Sequence, residues 1–248
     1  MVGYVAQIIT IASYGNEFLN DGIEKLDSRS HSSFHAIGDP AFKDKVSHDF
    51  DDVLDTNEWF HYLKDHGCRK IRIFYNVVDE SISGVMIDES IEWLLETVFD
   101  DYSDFWTYDF RYGSSGWWAR VIKTASHQPI MKRHDDLELR KRDLDAKLEV
   151  MIEYAKILGW GNGPRIFRNM KTNLYEKIPV LPEFHSQLIV EKNYSLTARQ
   201  VLYAAVSAWC FTGMGSWSDN CGSSEESRIT RDLFYSVCNA YVAAVNSY

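Results

Sequence analysis

The chain begins with an apolar run and then alternates polar connections with short segments of clear hydrophobic period. Residues 4–12 are rich in β-branched side chains and predict a buried strand. A buried first helix is the alternative, because so short a run does not fix its own period. Asp55, followed three residues later by Glu58, is typical of a capping box and predicts a helix that Gly67 ends.

The middle of the chain carries the strand signals. Residues 69–77 alternate and predict a strand, with which residues 82–87 are expected to pair. Residues 88–99 have apolar side chains at helical spacing and predict a helix. Residues 105–112 and 117–123 flank a Gly-Ser-Ser-Gly sequence and predict a β-hairpin. The period of two places four aromatic residues on one face of its first arm: Trp106, Tyr108, Phe110 and Tyr112.

The second half of the chain is predicted to be mainly helical. A long helix is expected over residues 135–158 and a terminal helix over residues 226–245. Between them, Ser195 is the predicted cap of a helix that runs to about residue 211. Residues 159–186 contain glycines and prolines and predict a long irregular connection, and residues 188–190 predict a short strand.

Together these elements predict an α+β fold, in which a small, mostly antiparallel sheet is covered by helices and the C-terminal part is helical. The irregular connection is the best candidate for a boundary within the chain. It separates residues 1–158 from residues 159–248, and the two parts are expected to pack as one compact domain.

Charge and composition narrow the class of partner. The formal net charge is −10 at pH 7, which repels phosphate backbones and argues against binding to nucleic acid. Aromatic residues make up 14% of the chain, a fraction that favours a bulky core or a recognition surface. Residues 1–13 lack the basic start and cleavage site of a signal peptide, and no apolar run is long enough to span a bilayer. We therefore expect a cytoplasmic protein that does not associate with membranes.

The four cysteines match no zinc-binding spacing and are too few for a disulfide scaffold. They predict buried thiols in a reducing compartment. If a disulfide forms, we expect it to join Cys210 to either Cys221 or Cys238.

Signals for a metal or a catalytic group are weak. Glu58 and His61 form a single E-x-x-H, whereas a carboxylate-bridged metal pair needs two such motifs. A site from His31, His35, His48 and Asp49 requires a helix where serines favour a loop. Asp100, Asp101 and Asp104 lack the glycine and the final glutamate of a calcium loop. Ser195 with His185 lacks a nucleophile motif. We predict no metal, no cofactor and no catalytic residue.

One stretch stands out, because the chain has no lysine or arginine between Arg72 and Arg111. Ten acidic residues and nine aromatic residues lie in that interval. Such a single-sign block focuses an electric field and can anchor a basic partner. A second contact is expected at the glycine-rich loop after the Ser195 helix, where Trp217, Ser218 and Asp219 are predicted to be exposed.

The leading hypothesis is a non-enzymatic module that binds a basic protein, most concretely an immunity-type inhibitor of a nuclease toxin. The predicted contact residues are acidic or aromatic: Glu92, Trp93, Glu96, Asp100, Asp101, Trp106, Tyr108, Asp109, Trp217 and Asp219. The hypothesis requires Glu92, Glu96, Asp100, Asp101 and Asp109 to share one surface. The alternative is a small cytoplasmic hydrolase that uses carboxylates and His61, with residues 163–182 as a lid.

Overall fold

The fold is described by a computed structural model that covers residues 3–49, 53–81, 84–113, 116–130, 136–211, 217 and 224–248. Six helices lie within these ranges: α1 (Gly3–Leu19), α2 (Thr56–Asp65), α3 (Leu137–Ile157), α4 (Gly163–Thr172), α5 (Leu196–Ser207) and α6 (Ser224–Asn246). Five strands lie within them: β1 (Ala41–Asp44), β2 (Lys70–Val77), β3 (Ile91–Val98), β4 (Ser103–Gly113) and β5 (Gly116–Gln128).

The strands form one sheet in the order β1-β5-β4-β3-β2. Only the β1–β5 pair is parallel, and the other three pairs are antiparallel. The inner face of the sheet packs on α1 and α6, as shown by the bond from Tyr108 to Gln7 of α1 and the ring contact between Trp93 and Tyr241 of α6. The predicted α+β fold with a small, mostly antiparallel sheet and a helical C-terminal part is confirmed.

The first apolar run is a helix, so the predicted strand is wrong and the alternative is correct. Residues 5–13 are buried without a break, which shows that α1 is enclosed on all sides. An enclosed helix needs no polar stripe, and its sequence therefore loses the 3.6-residue period. Its internal polar groups are satisfied by bonds such as that from Thr10 to the Leu188 carbonyl oxygen, at 3.2 Å.

The predicted helix over residues 88–99 is also wrong, because this segment contains β3, an interior strand of the sheet. β3 lies between β2 and β4 and is buried on both faces, so Leu94 and Leu95 are both buried although they point in opposite directions. A strand with apolar residues on both faces also has them three and four positions apart, which is the spacing expected of an amphipathic helix. The strand that pairs with β2 is β3, and the predicted partner segment over residues 82–87 is wrong where it is described, since Gly84–Ser90 is a 3₁₀ turn. Residues 82 and 83 lie outside the described residues.

Most of the locally encoded elements are confirmed. Asp55 and Glu58 form the capping box of α2, and Gly67 follows with a φ of 76°, which glycine adopts without strain. The hairpin is β4–β5, and Ser195 caps α5 through the backbone N–H of Ala198.

The region after α3 differs from the prediction. The connection over residues 159–186 is not irregular throughout, since it contains α4, and residues 188–190 do not form a strand. The division of the chain at residue 158 stays a prediction. Across that boundary, α3 packs on α4, α5 and α6, and α6 also packs on β2.

Cys68 and Cys238 are buried free thiols, so the Cys210–Cys238 disulfide is wrong, and Cys221 lies outside the described residues. Burial raises the pKa of the Cys68 thiol to about 12, which leaves it unreactive near neutral pH. A search of the described ranges found no helix with both the length and the apolar character needed to cross a membrane.

Two asparagine side chains cover the outer edge of the sheet. The amide of Asn16 accepts from the N–H of Ile71 at 2.7 Å and donates to the carbonyl oxygen of the same residue at 2.8 Å. Asn246 of α6 repeats this pair of bonds on Ile73, at 2.9 and 3.0 Å. Each amide thus replaces one residue of a missing neighbour strand, so β2 does not offer a free edge for aggregation at these positions.

Candidate functional site

A cleft of about 770 Å³ opens where β3 and β4 separate. We call it the acidic–aromatic cleft, after the residues that line it: Tyr4, Asp88, Glu89, Glu92, Trp93, Thr107, Tyr108, Asp109, Phe110, Arg111, Trp117, Ile122 and Thr124. Its volume lies in the range of pockets that take a small ligand or a side chain.

The register of the sheet explains why the cleft exists. β3 and β4 are paired from Leu94–Thr107 to Val98–Ser103, whereas Glu92 precedes this ladder and Asp109 follows it. The strands therefore diverge at this end of the sheet, and side chains from both faces line the gap between them. The 3₁₀ turn Gly84–Ser90 brings Asp88 and Glu89 to the same opening.

Stacked aromatic rings form one wall of the cleft. The ring of Tyr4 lies 5.1 Å from that of Phe110, and Phe110 stacks on Trp117 with centroids 4.5 Å apart and planes within 7°. The centroid of the Tyr108 ring lies 6.5 Å from that of the Tyr4 ring. Trp117 is 50% exposed, so this row of rings runs from the core to the solvent. Aromatic faces carry negative partial charge and attract cations.

The charges of the cleft are unbalanced. Asp88, Glu89, Glu92 and Asp109 face a single guanidinium, that of Arg111, whose Nε lies 2.9 Å from Asp109 Oδ1. Burial raises the pKa of the Asp88 carboxyl, to which the Tyr4 hydroxyl donates at 3.3 Å. Burial also lowers the local dielectric, which strengthens the attraction between the carboxylates and a cation.

Four of the predicted contact residues meet in this cleft: Glu92, Trp93, Tyr108 and Asp109. The structure adds Tyr4, Asp88, Glu89, Phe110 and Trp117 to them. Asp88 and Glu89 carry a visible sequence signal, because they lie in the Lys/Arg-free interval. Tyr4 carries none, since only the docking of α1 brings it there.

The predicted single acidic surface is wrong. Glu96 is fully buried on β3, and its nearest described cation is Arg72, whose Nη1 lies 3.5 Å from Glu96 Oε2. Asp100 and Asp101 follow the far end of β3. That end, at Val98, lies six residues or about 20 Å along the strand from Glu92. Asp100 is engaged there with Arg69, with an Nε–Oδ1 distance of 2.8 Å.

All four predicted aromatic contact residues are buried. Trp93 and Tyr108 are 3% and 6% exposed and lie beneath the cleft that they line, whereas Trp106 and Trp217 lie in the core away from it. Trp106 is fully buried, and its Nε1 donates to Thr97 Oγ1 at 3.1 Å. Trp217 is also buried and donates from Nε1 to Thr230 Oγ1 at 2.7 Å. Neither is exposed to a partner. Ser218 and Asp219 of the predicted contact loop lie outside the described residues.

A buried ion cluster, which the sequence reasoning missed, lies at the β1–β5 side of the sheet. Lys123 is fully buried, and its Nζ lies 2.9 Å from Asp44, 2.9 Å from Asp49 and 3.3 Å from Asp104. It also donates to Ser47 Oγ at 2.9 Å. We call this set the Lys123 cluster.

The Lys123 cluster joins β1 and β5 through buried ion pairs. Burial alone would lower the pKa of Lys123, but hydrogen bonds to Asp44 and Asp49 outweigh it and raise the pKa. The amine is therefore protonated and cannot serve as a base for Ser47. Burial alone would raise the pKa of Asp44, but hydrogen bonds from Ser47 and Lys123 hold it well below its usual range.

The lowered pKa of Asp44 predicts how the free energy of unfolding depends on pH. Because the folded-state pKa of Asp44 is depressed, its contribution is complete above the unfolded pKa of about 3.9 and is lost as pH falls below that value. Urea unfolding at successive pH values should show the free energy of unfolding falling between about pH 5 and pH 2. In an Asp44→Asn variant the fall should be shallower, and equal slopes for the two proteins would contradict this assignment.

The histidines of the weaker motifs lie outside the cleft. His61 is exposed on α2 with its ring 4.8 Å from that of Phe18, and His185 is buried in a 3₁₀ turn. His31 has both ring nitrogens engaged, one with the Gln187 carbonyl oxygen at 2.9 Å and one with the Ser33 N–H at 3.2 Å. Over the described part of the chain, no group of three or more potential ligand residues is placed to hold a metal ion.

Comparisons with known protein families, with curated proteins and with solved structures found no match to this chain. The acidic–aromatic cleft is therefore interpreted from its own chemistry.

Proposed function

We propose that the protein is a non-enzymatic binding module, and that its acidic–aromatic cleft holds a lysine or arginine side chain of a basic partner protein. The observation that carries this proposal is the composition of the cleft. Four carboxylates and five aromatic rings line one opening with a single, already paired cation.

Each component of the cleft favours a cation in a different way. Carboxylates such as Glu89 and Glu92 attract it over a distance and speed its association. The half-exposed ring of Trp117 attracts it at contact and covers the aliphatic stem of a long side chain. A partner that presents a lysine or arginine on a convex surface has the complementary shape and charge.

An immunity-type inhibitor of a nuclease toxin is the most specific form of this proposal. A nuclease cleft is lined by cations that attract phosphate, and carboxylates substitute for phosphate in such a cleft. The hydrolase alternative has less support, because neither His61 nor His185 lines the cleft beside its carboxylates.

A comparative capture experiment tests the proposal. Immobilised wild-type protein is expected to retain a basic protein from a lysate of its source cells and to release it as salt rises, because salt screens exposed charges. A Glu89→Gln/Glu92→Gln variant should bind the same protein at least about fivefold more weakly.

The matched control is Glu24→Gln/Glu176→Gln, which removes the same charge from exposed positions outside the cleft. It should retain the partner as the wild type does. Equal retention of every captured protein by the cleft variant and the control would count against the proposal.

A further inference from the structure

A second pocket, of about 350 Å³, lies where β1 meets β5, and its charge is opposite to that of the acidic–aromatic cleft. We call it the basic pocket, and six residues line it: Ala41, Lys43, Lys45, Val53, Arg120 and Ile122. Ile122 also lines the acidic–aromatic cleft, so the two pockets are neighbours.

Strand alternation brings the cations of the basic pocket together. Phe42 pairs with Val121, and both are fully buried on the inner face of the sheet. Their neighbours therefore point to the opposite face, where Lys43 lies beside Ile122 in the register and Arg120 lies beside Ala41. Two adjacent parallel strands thus hold these charges on one face.

One described carboxylate lies next to the basic pocket, since Asp109 is opposite Arg120 in the β4–β5 register, but it pairs with Arg111. Among the residues that the structure describes, Lys43, Lys45 and Arg120 form no ion pair, in a chain whose net charge is −10. Arg120 lies 4.6 Å above the ring of Trp118, which fixes the guanidinium without neutralising it. Its planar N–H donors stay available for an oxyanion.

We propose that the basic pocket binds a small organic oxyanion, in particular a phosphate monoester with an apolar substituent. Three cations more than balance the two negative charges of a phosphate dianion, and Arg120 offers the planar donor geometry that phosphate prefers. The side chains of Ala41, Val53 and Ile122 supply apolar walls for the substituent. A volume of about 350 Å³ suits a small molecule.

Calorimetric titration at constant ionic strength tests this proposal with phenyl phosphate, inorganic phosphate and benzoate as probes. Phenyl phosphate should bind most tightly, since inorganic phosphate lacks the apolar part and benzoate carries less charge. Arg120→Gln and Lys43→Gln should each weaken phenyl phosphate binding about fivefold. Lys177→Gln, at an exposed lysine outside the pocket, should leave it unchanged.

The proposal would be overturned by an absence of phenyl phosphate binding at millimolar concentration or by equal phenyl phosphate binding by Arg120→Gln and Lys177→Gln. Binding of a single-stranded oligonucleotide through these residues without phenyl phosphate binding would also overturn it. Tighter binding of benzoate than of phenyl phosphate would identify a carboxylate site and would also exclude the phosphate. The Glu89→Gln/Glu92→Gln variant should bind phenyl phosphate at least as well as the wild type, so this test is independent of the acidic–aromatic cleft.

Discussion

Replacement of Lys123 by methionine is expected to lower the free energy of unfolding by about 3–5 kcal/mol at pH 7. The change keeps the length and apolar stem of the side chain but removes the ammonium group. Asp44 and Asp104 are buried, and the cation they share with Asp49 would be lost. Carboxylates that are buried without a cation cost far more than the cation pairing contributes.

Urea unfolding followed by tryptophan fluorescence measures this effect. The difference between wild type and Lys123→Met should shrink as pH falls from 7 to 4, because protonation relieves the repulsion among the three carboxylates. Lys43→Met is the matched control, since Lys43 lies on the adjacent strand but is exposed, and it should change stability by less than about 0.5 kcal/mol. A loss below about 1 kcal/mol that does not vary with pH would show that Lys123 is not the centre of the cluster.

Replacement of Asn16 by alanine is expected to cost about 3 kcal/mol, because it leaves two buried backbone groups without partners. The N–H and the carbonyl oxygen of Ile71 bond to this one side chain at the outer edge of β2. Loss of both bonds also exposes a strand edge, so the variant should aggregate more readily on heating.

Asn20→Ala is the control for this substitution, because Asn20 is exposed after α1 and its amide donates to the Asn16 carbonyl oxygen and the Tyr248 hydroxyl, not to the edge of the sheet. It should change stability by less than about 0.5 kcal/mol. Chemical denaturation gives the stability change, and light scattering during heating reports aggregation. Equal stability of the Asn16 and Asn20 variants would contradict the role assigned to the edge bonds.

Elements whose signal is local could be predicted from the sequence. The capping box of α2 involves only Asp55 and Glu58, and the hairpin follows from alternation on both sides of a short glycine-containing turn. β3 and α1 could not be predicted in this way. Both are enclosed by the rest of the fold, and an element that is buried on all sides loses the polar positions that reveal its period.

The candidate site was predicted only in part, because the positions of its residues depend on the whole sheet and not on local sequence. The Lys/Arg-free interval contains Glu92, Trp93, Tyr108 and Asp109, which line the acidic–aromatic cleft. Their convergence depends on where β3 and β4 separate, which the sequence does not encode locally. Lys123 had a usable signal, since strand alternation places it on the same face as buried Val121, and a charge at such a position demands partners.

The central claim, that the acidic–aromatic cleft holds a cationic side chain, is tested most directly by nuclear magnetic resonance titration with trilysine and, as a control, triglutamate. Trilysine should shift the indole N–H signal of the half-exposed Trp117 and the backbone amides of Glu92 and Asp109. Triglutamate should leave them unchanged, and Glu89→Gln/Glu92→Gln should weaken the trilysine response. Trilysine shifts spread evenly over the acidic surface, with none concentrated in the cleft, would contradict the account.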